Sequence, residues 1–510
     1  MAGTPLVWLL TVSLPDGTVI RAATRPTTLT SASGQVYAFD AILTSDPVYG
    51  EEVDLFSLDS SASFQQAQVS VLTSEDLAVK AADWRAVASG KGELAIMMGD
   101  TTGYEQRRIL LADGRIQNLQ MGKVGELTVL VLEGLGSVAG ANVGGDTIDM
   151  GDVWADPLTD TVAGAISSLV GRKRVFVYGD AKRVPAYKVG AVSGSDRLVL
   201  CGHLLPDLGS ISVYEDDGGP VVANPFTDSN TGGSYSYVSS GTVYRAANGG
   251  YTWDATRGGT RAYNDFSKPA LRASGVLARL LQDSGEKVDW DAMQPTLKRL
   301  DRFQCGFWVD EEVGALDLIR QRLAPVFPIV EVMGSEGLYF AYSDPHVREP
   351  ECTLTEGQEL HRVGPMTFSD ADATYTSFSL LYDYNMQSGA YDGSATIDHT
   401  NDALCLLAYQ LGGNKVRAEK PLKTTAVHDS GTAYGLLRAR ASRLALQRRQ
   451  LTFYAVPDVL PLLRAGMVFL LNTDTWGISD HKAVIRSIQY GEAAATVAVD
   501  LIDRTPNSRR

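Results

Sequence analysis

The feature that most constrains this chain is its punctuation. Short apolar or alternating runs recur at roughly ten-residue spacing, divided by glycine-bearing turns. LVWLLTV (6–12) is followed by Pro15-Asp16-Gly17 and then by TVIRAAT (18–24). Proline presets one turn angle and glycine supplies the next, so this stretch predicts a hairpin. VYAFDAIL (36–43), FQQAQVSVL (64–72), GELAIMMGD (92–100), RRILLADGRI (107–116) and GELTVLVLEGL (125–135) continue the pattern, with Asp113-Gly114 read as another turn. The first 145 residues therefore read as a β-sandwich or barrel.

The same reading divides the rest of the chain. Residues 146–265 form a second β region containing RLVLCGHLL and GSISVYEDDGGPVV, with a Gly/Ser/Tyr-rich insertion at 227–260. That insertion has too few aliphatic residues for a core of its own and reads as exposed and partly stranded. Helical spacing begins after residue 266. In SKPALRASGVLARLLQDSG, Ser267 is the expected N-cap, Pro269 suits the first turn and Gly285 stands where a C-terminal glycine belongs. DEEVGALDLIRQRLAP predicts a second helix from Asp310 to the residue before Pro325, with Val313, Leu316, Ile319 and Leu323 on one face. With the strand-like run 328–344, residues 266–350 make a small α+β domain. Residues 351–510 read as a β-barrel domain with one Arg-rich helix, in which Tyr434, Leu437, Ala441 and Leu444 share a face and the arginines take the others. QLTFYAV, MVFLLNTD, AVIRSIQYG and ATVAVDLID are its four closing strands. The fold class is mainly β, α+β overall: several β-barrel or sandwich domains with a small helical domain between them.

Composition limits the function classes. The chain has 510 residues, 44% hydrophobic and 21% charged, which is enough to bury several cores. A net charge of −15 opposes DNA or an anionic membrane as the main partner, since like charges repel. Leu6–Val12 is too short for a membrane span and lacks a basic leader and a cleavage site, so it reads as a strand in a protein made in a reducing cytoplasm. The four cysteines, Cys201, Cys305, Cys352 and Cys405, are scattered and form no zinc-type pair; they read as free thiols in a reducing compartment.

Candidate chemistry is weak throughout. GLGSVAG (134–140) imitates a dinucleotide fingerprint, but no helical spacing follows the third glycine. Asp146, Asp149, Asp152 and Asp156 do not have calcium-loop spacing and read as a solvated loop. No nucleophile elbow, zinc-protease helix or phosphate loop occurs, and the six histidines are isolated. The chain reads as a non-enzyme with no catalytic residues, cofactor or metal.

Charge clusters remain. GRKRVFVYGDAKRVPAY (171–187) places Arg172, Lys173, Arg174, Lys182 and Arg183 within twelve positions, at the ends of two short strands around Gly179-Asp180. Arg438, Arg440 and Arg443 crowd the C-terminal helix. In an acidic chain these cations suit the acids of neighbouring subunits, or deter stray strand pairing at an edge. Tyr235, Tyr237, Tyr244, Tyr251 and Trp253 are candidates for receptor or partner contact by stacking.

The last hundred residues resemble tail-tip and baseplate hub proteins of long-tailed bacteriophages and gene transfer agents. The similar pattern is an Arg-rich helix and a strand, then a glycine turn at Leu463, Gly466, Met467 and Val468. A D-x-x-G loop at Asp474 and Gly477 and a strand with Val484, Ile485 and Arg486 complete it. V-Y-G-x-x-x-x-V-P at Val177–Pro185, the strand Leu198–His203, the helical stretches 267–285 and 303–325, and LPDGTVIRAAT…GQVYAF also resemble those proteins. The resemblance implies a virion protein at the tail tip that closes the tail tube, with roles in host attachment and DNA ejection. It implies a homotrimeric ring whose partners are distal tail and tube proteins, the tape measure, and fibre or receptor-binding proteins. DNA would pass it without specific binding, which the acidic charge suits. Some hubs hold an iron–sulfur cluster on closely spaced cysteines; the scattered cysteines here depart from that, so none is expected. The alternative reading is a receptor- or carbohydrate-contacting tail protein, and further off a tail-associated cell-wall hydrolase.

Overall fold

The fold is that of a computed structural model, which describes the strands and some turns between residues 7 and 143. It also describes the strands and adjoining residues between 173 and 254, and residues 272–502 apart from 335–336, 371–373, 386–388 and 491–494. It is mainly β, with five α-helices among the described residues. Two compact units are each assembled from separated stretches. The first comprises Met1–Val138, Val330–Ala373 and Leu446–Arg510; the second comprises Ala139–Ile329 and Thr374–Ala445.

In the first unit, six antiparallel strands lie in the order Val19–Ala23, Val7–Ser13, Lys91–Met97, Arg108–Gln120, Leu127–Gly134, Ala67–Leu72. The first hairpin turns where expected: Ser13 opposes Val19, Gly17 has φ +83°, and the Gly17 N–H donates to the Leu14 carbonyl at 3.0 Å; Pro15 and Asp16 lie outside the described residues. Asp113-Gly114 is not a turn. Both residues lie inside the strand Arg108–Gln120, where Asp113 opposes Glu93, and Gly114 opposes Gly92 on one side and Gly134 on the other. Ladders on both edges satisfy the backbone and override the local turn preference of the dipeptide. Because strand side chains alternate, Val7–Ser13 serves two cores. Trp8, Leu10 and Val12 enter the large one; Val7 and Leu9 meet Leu29 and Phe39 of the hairpin Thr27–Thr30/Val36–Phe39.

The large core is completed by the far end of the chain. Thr353–Thr355, Val468–Thr473, Ile478–Tyr490, Ala495–Leu501, Arg449–Ala455 and Leu360–Val363 follow one another in a sheet that curls toward closure through a Glu356–Leu360 bridge. All four strands expected at the C-terminus are present, and Gly50–Val53 adds antiparallel to Ile478–Tyr490. Phe453, Phe469, Ile485 and Val497 pack in one core with Trp8 and Leu94, each such side chain contributing about 1.5–3 kcal/mol on burial. Asp500, buried within the strand Ala495–Leu501, accepts from the Gln450 side-chain amide at 2.9 Å. It lies 3.8 Å from Arg448, whose guanidinium sits 4.0 Å from the Phe56 ring centre.

The second unit holds a seven-stranded sheet ordered Pro220–Val221, Ser212–Glu215, Tyr251–Asp254, Val184–Val192, Ser195–Cys201, Ser236–Ser239, Thr227–Asp228. Its helices are α1 (Ala273–Ser284), α2 (Trp290–Leu300), α3 (Ala315–Leu318), α4 (Ala403–Leu411) and α5 (Ser430–Leu444). Helix α1 ends as expected, with Gly285 left-handed and its N–H on the Gln282 carbonyl at 3.2 Å. Its start differs: Ser267 and Pro269 lie outside the described residues, and the helix begins where the Ala273 N–H finds the Phe303 carbonyl at 3.0 Å. A tertiary hydrogen bond takes the place of the side-chain cap.

Helix α2, absent from the sequence reading, is capped by Asp289 and carries Pro295 inside it. The helix expected from Asp310 is shorter. Val313–Gly314 pairs as a strand with Asn142–Val143, and only from Ala315 does the chain turn into α3 and a π-helical turn, Ile319–Leu323. The hairpin Ser377–Asn385/Ala390–Asp398 packs against α5. That helix also departs from expectation: Tyr434 is exposed, whereas Arg440 and Arg443 are buried. The Arg440 guanidinium can be enclosed because buried Glu419 neutralises it, with Nε–O distances of 2.8 and 2.9 Å.

Candidate functional site

The glycine turn of the C-terminal motif is held from both sides. Gly466 has φ +80°. Its N–H donates to the Ile485 carbonyl at 2.7 Å, and the Ile485 N–H returns to the Met467 carbonyl at 2.9 Å. Arg348 donates to the Gly466 carbonyl and to Glu351, and Arg464 reaches the same Glu351 at 2.6 Å. Lys482 Nζ donates to the main-chain carbonyls of His346 and Arg348 at 3.1 and 2.7 Å. Burial pulls the Arg348 guanidinium below its ordinary range while Glu351 opposes the shift. These cations tie the turn to the segment 345–351.

The D-x-x-G loop is closed by the Gly477 N–H on the Asp474 carbonyl at 3.2 Å, with Gly477 at φ +58°. Glu356 accepts from the Thr475 hydroxyl at 2.7 Å, from the Thr475 N–H at 3.3 Å and from the Thr473 hydroxyl. Desolvation raises the Glu356 carboxyl, but these hydrogen bonds together outweigh it and hold it below the usual glutamate value.

The V-Y-G motif lies in a tighter junction. Phe176–Gly179 does not form a hairpin with Val184–Val192; it pairs with Gly306–Val309, placing Gly179 opposite Gly306. A Cβ on Gly179 would stand 1.9 Å from the Cys305 carbonyl oxygen, and one on Gly306 would stand 2.0 Å from the Asp180 carbonyl carbon. Only glycines permit this approach. Tyr178 stacks on Phe307 with ring centres 5.4 Å apart, and its hydroxyl donates to Asp283 at 3.3 Å. Burial pushes the Asp283 carboxyl up against the opposing pull of Arg279, 2.8 Å away. His428 bridges Asp383 and the Gly306 carbonyl, with both contacts at 3.1 Å. Cys305 lies buried at the same junction, and burial drives its thiol far above the ordinary value. These polar groups spend their hydrogen bonds on backbone and on one another. Among the described residues no group of three or more His, Cys, Asp or Glu could hold a metal ion.

The charged and aromatic candidates separate. Lys173 is 3.7 Å from Glu312, and Lys182 is half-buried; Arg172, Arg174 and Arg183 lie outside the described residues. Arg438 is exposed on α5, whereas Arg440 and Arg443 are enclosed within their own unit and do not offer a neighbour their charge. Tyr237 opposes Val199. Tyr251 and Trp253 sit on one strand, opposite Ala186 and Val184 on one side and Glu215 and Val213 on the other. Tyr235 and Tyr244 lie outside the described residues, as do Asp146, Asp149, Asp152 and Asp156. Of the thiols, Cys305 and Cys405 are buried and Cys352 half-buried, all free.

Sequence reasoning missed an apolar surface on α4 and its exit loop: Leu406, Leu411 and Val416 are 41%, 73% and 59% exposed. The signal was available in ALCLLAYQL, nine residues without a charge between Asp402 and Gly412.

No protein-family model matches the chain, and no curated protein matches it. Among solved structures it is similar to a chain from the virion of a native gene transfer agent particle, at 12% identity and a TM-score of 0.41. That match covers 67% of this chain and 86% of the other. It is also similar to prophage tail protein gp18 from Listeria monocytogenes EGD-e, at 13% identity and a TM-score of 0.27, over 66% of this chain and 95% of the other.

Proposed function

We propose that the chain is a structural protein of a phage-type tail: a baseplate or tail-tip hub that closes the tube and anchors receptor-binding or fibre proteins. The observation that carries the reading is the C-terminal barrel. The run Leu463–Arg486, whose pattern resembles hub proteins, forms two consecutive strands, the first entered at left-handed Gly466 and the two joined at left-handed Gly477. Two of its cations, Arg464 and Lys482, are spent on holding that turn. Such a use of polar groups suits a scaffold and not a reaction centre, so the reading is of a non-enzyme working as a homotrimeric ring in the virion. A net charge of −15 per copy suits a wall that DNA crosses without adhering.

The test is to delete the coding sequence in a producing strain, purify particles and image their tails by electron microscopy. The chain should be present in wild-type particles and label the distal tail end, and deletion should leave tails without a closed tip. Purified infectious particles that lack the chain would sink the reading.

A further inference from the structure

We propose that His428 is a pH-sensitive clamp: its ring, carrying two protons, locks the hairpin Ser377–Asn385/Ala390–Asp398 onto the strand Gly306–Val309, and loss of one proton releases that junction. All the parts lie in the second unit, and the clamp does not depend on what the chain assembles with.

One short segment holds each neighbour twice. The Gly306 N–H donates to the Ala426 carbonyl at 3.0 Å, and the Gly306 carbonyl meets His428 Nε2 at 3.1 Å. The Asp383 N–H donates to the Val427 carbonyl at 2.8 Å, and the Asp383 carboxylate meets His428 Nδ1 at 3.1 Å. Ala426 and Val427 are fully buried, and the His428 side chain is only 8% exposed, so water has little room to replace a lost contact. Gly306 is also the residue pressed against the Asp180 backbone opposite Gly179, so the clamp bears on the closest strand approach of the unit.

The proton count follows from the two acceptors. A carbonyl has no hydrogen to give, and neither has an ionised carboxylate. Both ring nitrogens must therefore donate, which only the imidazolium does. A neutral ring keeps one N–H and turns a lone pair toward either the Gly306 carbonyl or the Asp383 carboxylate. In a buried site that contact is repulsive and leaves an acceptor unmet. The closed junction thus binds one proton more than the open one, and by linkage its stability falls as pH rises through the histidine range. The elements that meet here bring other charged groups. Asp383 stands on the hairpin, Asp429 caps α5 on the Thr432 N–H at 2.7 Å, Arg322 reaches the Thr425 hydroxyl at 3.4 Å, and Asp180 adjoins Gly306. Burial pushes Tyr382 up, with Tyr434, Asp383 and Asp429 adding to the shift, and burial drives the Cys305 thiol far above its ordinary value. Neither Tyr382 nor Cys305 therefore gains charge as the ring loses it.

Amide hydrogen exchange of the full chain, corrected for intrinsic rate and read by mass spectrometry from about pH 5 to pH 8, tests the clamp. Protection in peptides from 303–309, 380–385 and 424–432 should fall together by about tenfold as pH rises. Asp383→Asn is the deciding variant. Asparagine accepts the left-handed backbone that Asp383 holds at φ +56°. Its amide can donate to Nδ1 of a neutral ring whose Nε2–H keeps the Gly306 carbonyl, so this variant should stay protected across the whole range. His428→Gln, which cannot change its charge, should also show no step. Flat wild-type protection would overturn the clamp. A step that persists in Asp383→Asn or in His428→Gln would overturn it too, because the proton responsible would belong to another group.

Discussion

Replacing Gly179 by alanine combines two costs that other glycines of the same unit keep apart. Gly179 has φ +69°, and a Cβ there would stand 1.9 Å from the Cys305 carbonyl oxygen. Gly285 has the same φ with nothing within 4 Å of a Cβ. Gly285→Ala therefore carries the left-handed penalty alone, about 1–2 kcal/mol. Gly306 has no positive φ, but its Cβ would meet Asp180 backbone at 2.0 and 2.1 Å. Gly306→Ala carries the steric cost alone, about 3 kcal/mol, at the upper end of overpacking because main chain must move. Gly179→Ala carries both, about 4–5 kcal/mol, which lowers the melting temperature of a unit this size by about 10 °C. The Gly285→Ala change lowers it by about 4 °C on the same scale. Scanning calorimetry of the full chain measures all three. A Gly179→Ala protein melting within a degree or two of Gly285→Ala would refute the close approach of the two strands.

Three further outcomes follow from the packing. Arg440→Met leaves Glu419 buried without a counter-charge and costs about 3–5 kcal/mol, and adding Glu419→Leu recovers most of it; urea unfolding of the single and double variants checks this. Glu356→Gln loosens the loop at Gly477 and lowers stability near neutral pH. Because the folded carboxyl titrates below its unfolded value, the wild-type advantage is full above the ordinary glutamate pKa of about 4.3. It fades as pH falls through the lowered folded value, so the two proteins converge in acid unfolding series. Cys305 and Cys405 resist alkylation at pH 8 in the native protein and react after unfolding, since burial raises both thiols, Cys405 to about 12; mass spectrometry of labelled peptides reads the result, and rapid native labelling of Cys305 would contradict its packing.

Where local chemistry decides the backbone, the sequence was readable. The turn at Gly17, Gly285 and the four C-terminal strands are of this kind, because turn residues and two-residue alternation act within a few positions. Asp113-Gly114 carries the same turn preference, yet two flanking ladders hold it extended. Pro295 masks α2, since a proline inside a periodic run reads as a break, yet the helix runs through it from its Asp289 cap. The arginines of α5 read as cations for a neighbouring subunit's acids because their spacing is legible and the distant Glu419 is not. At the candidate site, Gly466, Gly477 and Gly179 announced themselves by motif; Gly306 and His428 came from remote segments with no signal of their own.

The pairing of Gly50–Val53 with Ile478–Tyr490 sets a schedule for biosynthesis. At about 5–20 residues per second, a ribosome needs tens of seconds to travel from one strand to the other. During that time Trp8, Leu10 and Leu94 have been made but lack Phe469, Ile485 and Val497, the side chains that cover them. The second unit, encoded between them apart from its own short interruption, has all its residues by Ala445 and is free to fold first. A nascent chain cut short before the closing strands thus leaves an N-terminal sheet whose apolar face has no cover, a sticky and protease-sensitive product.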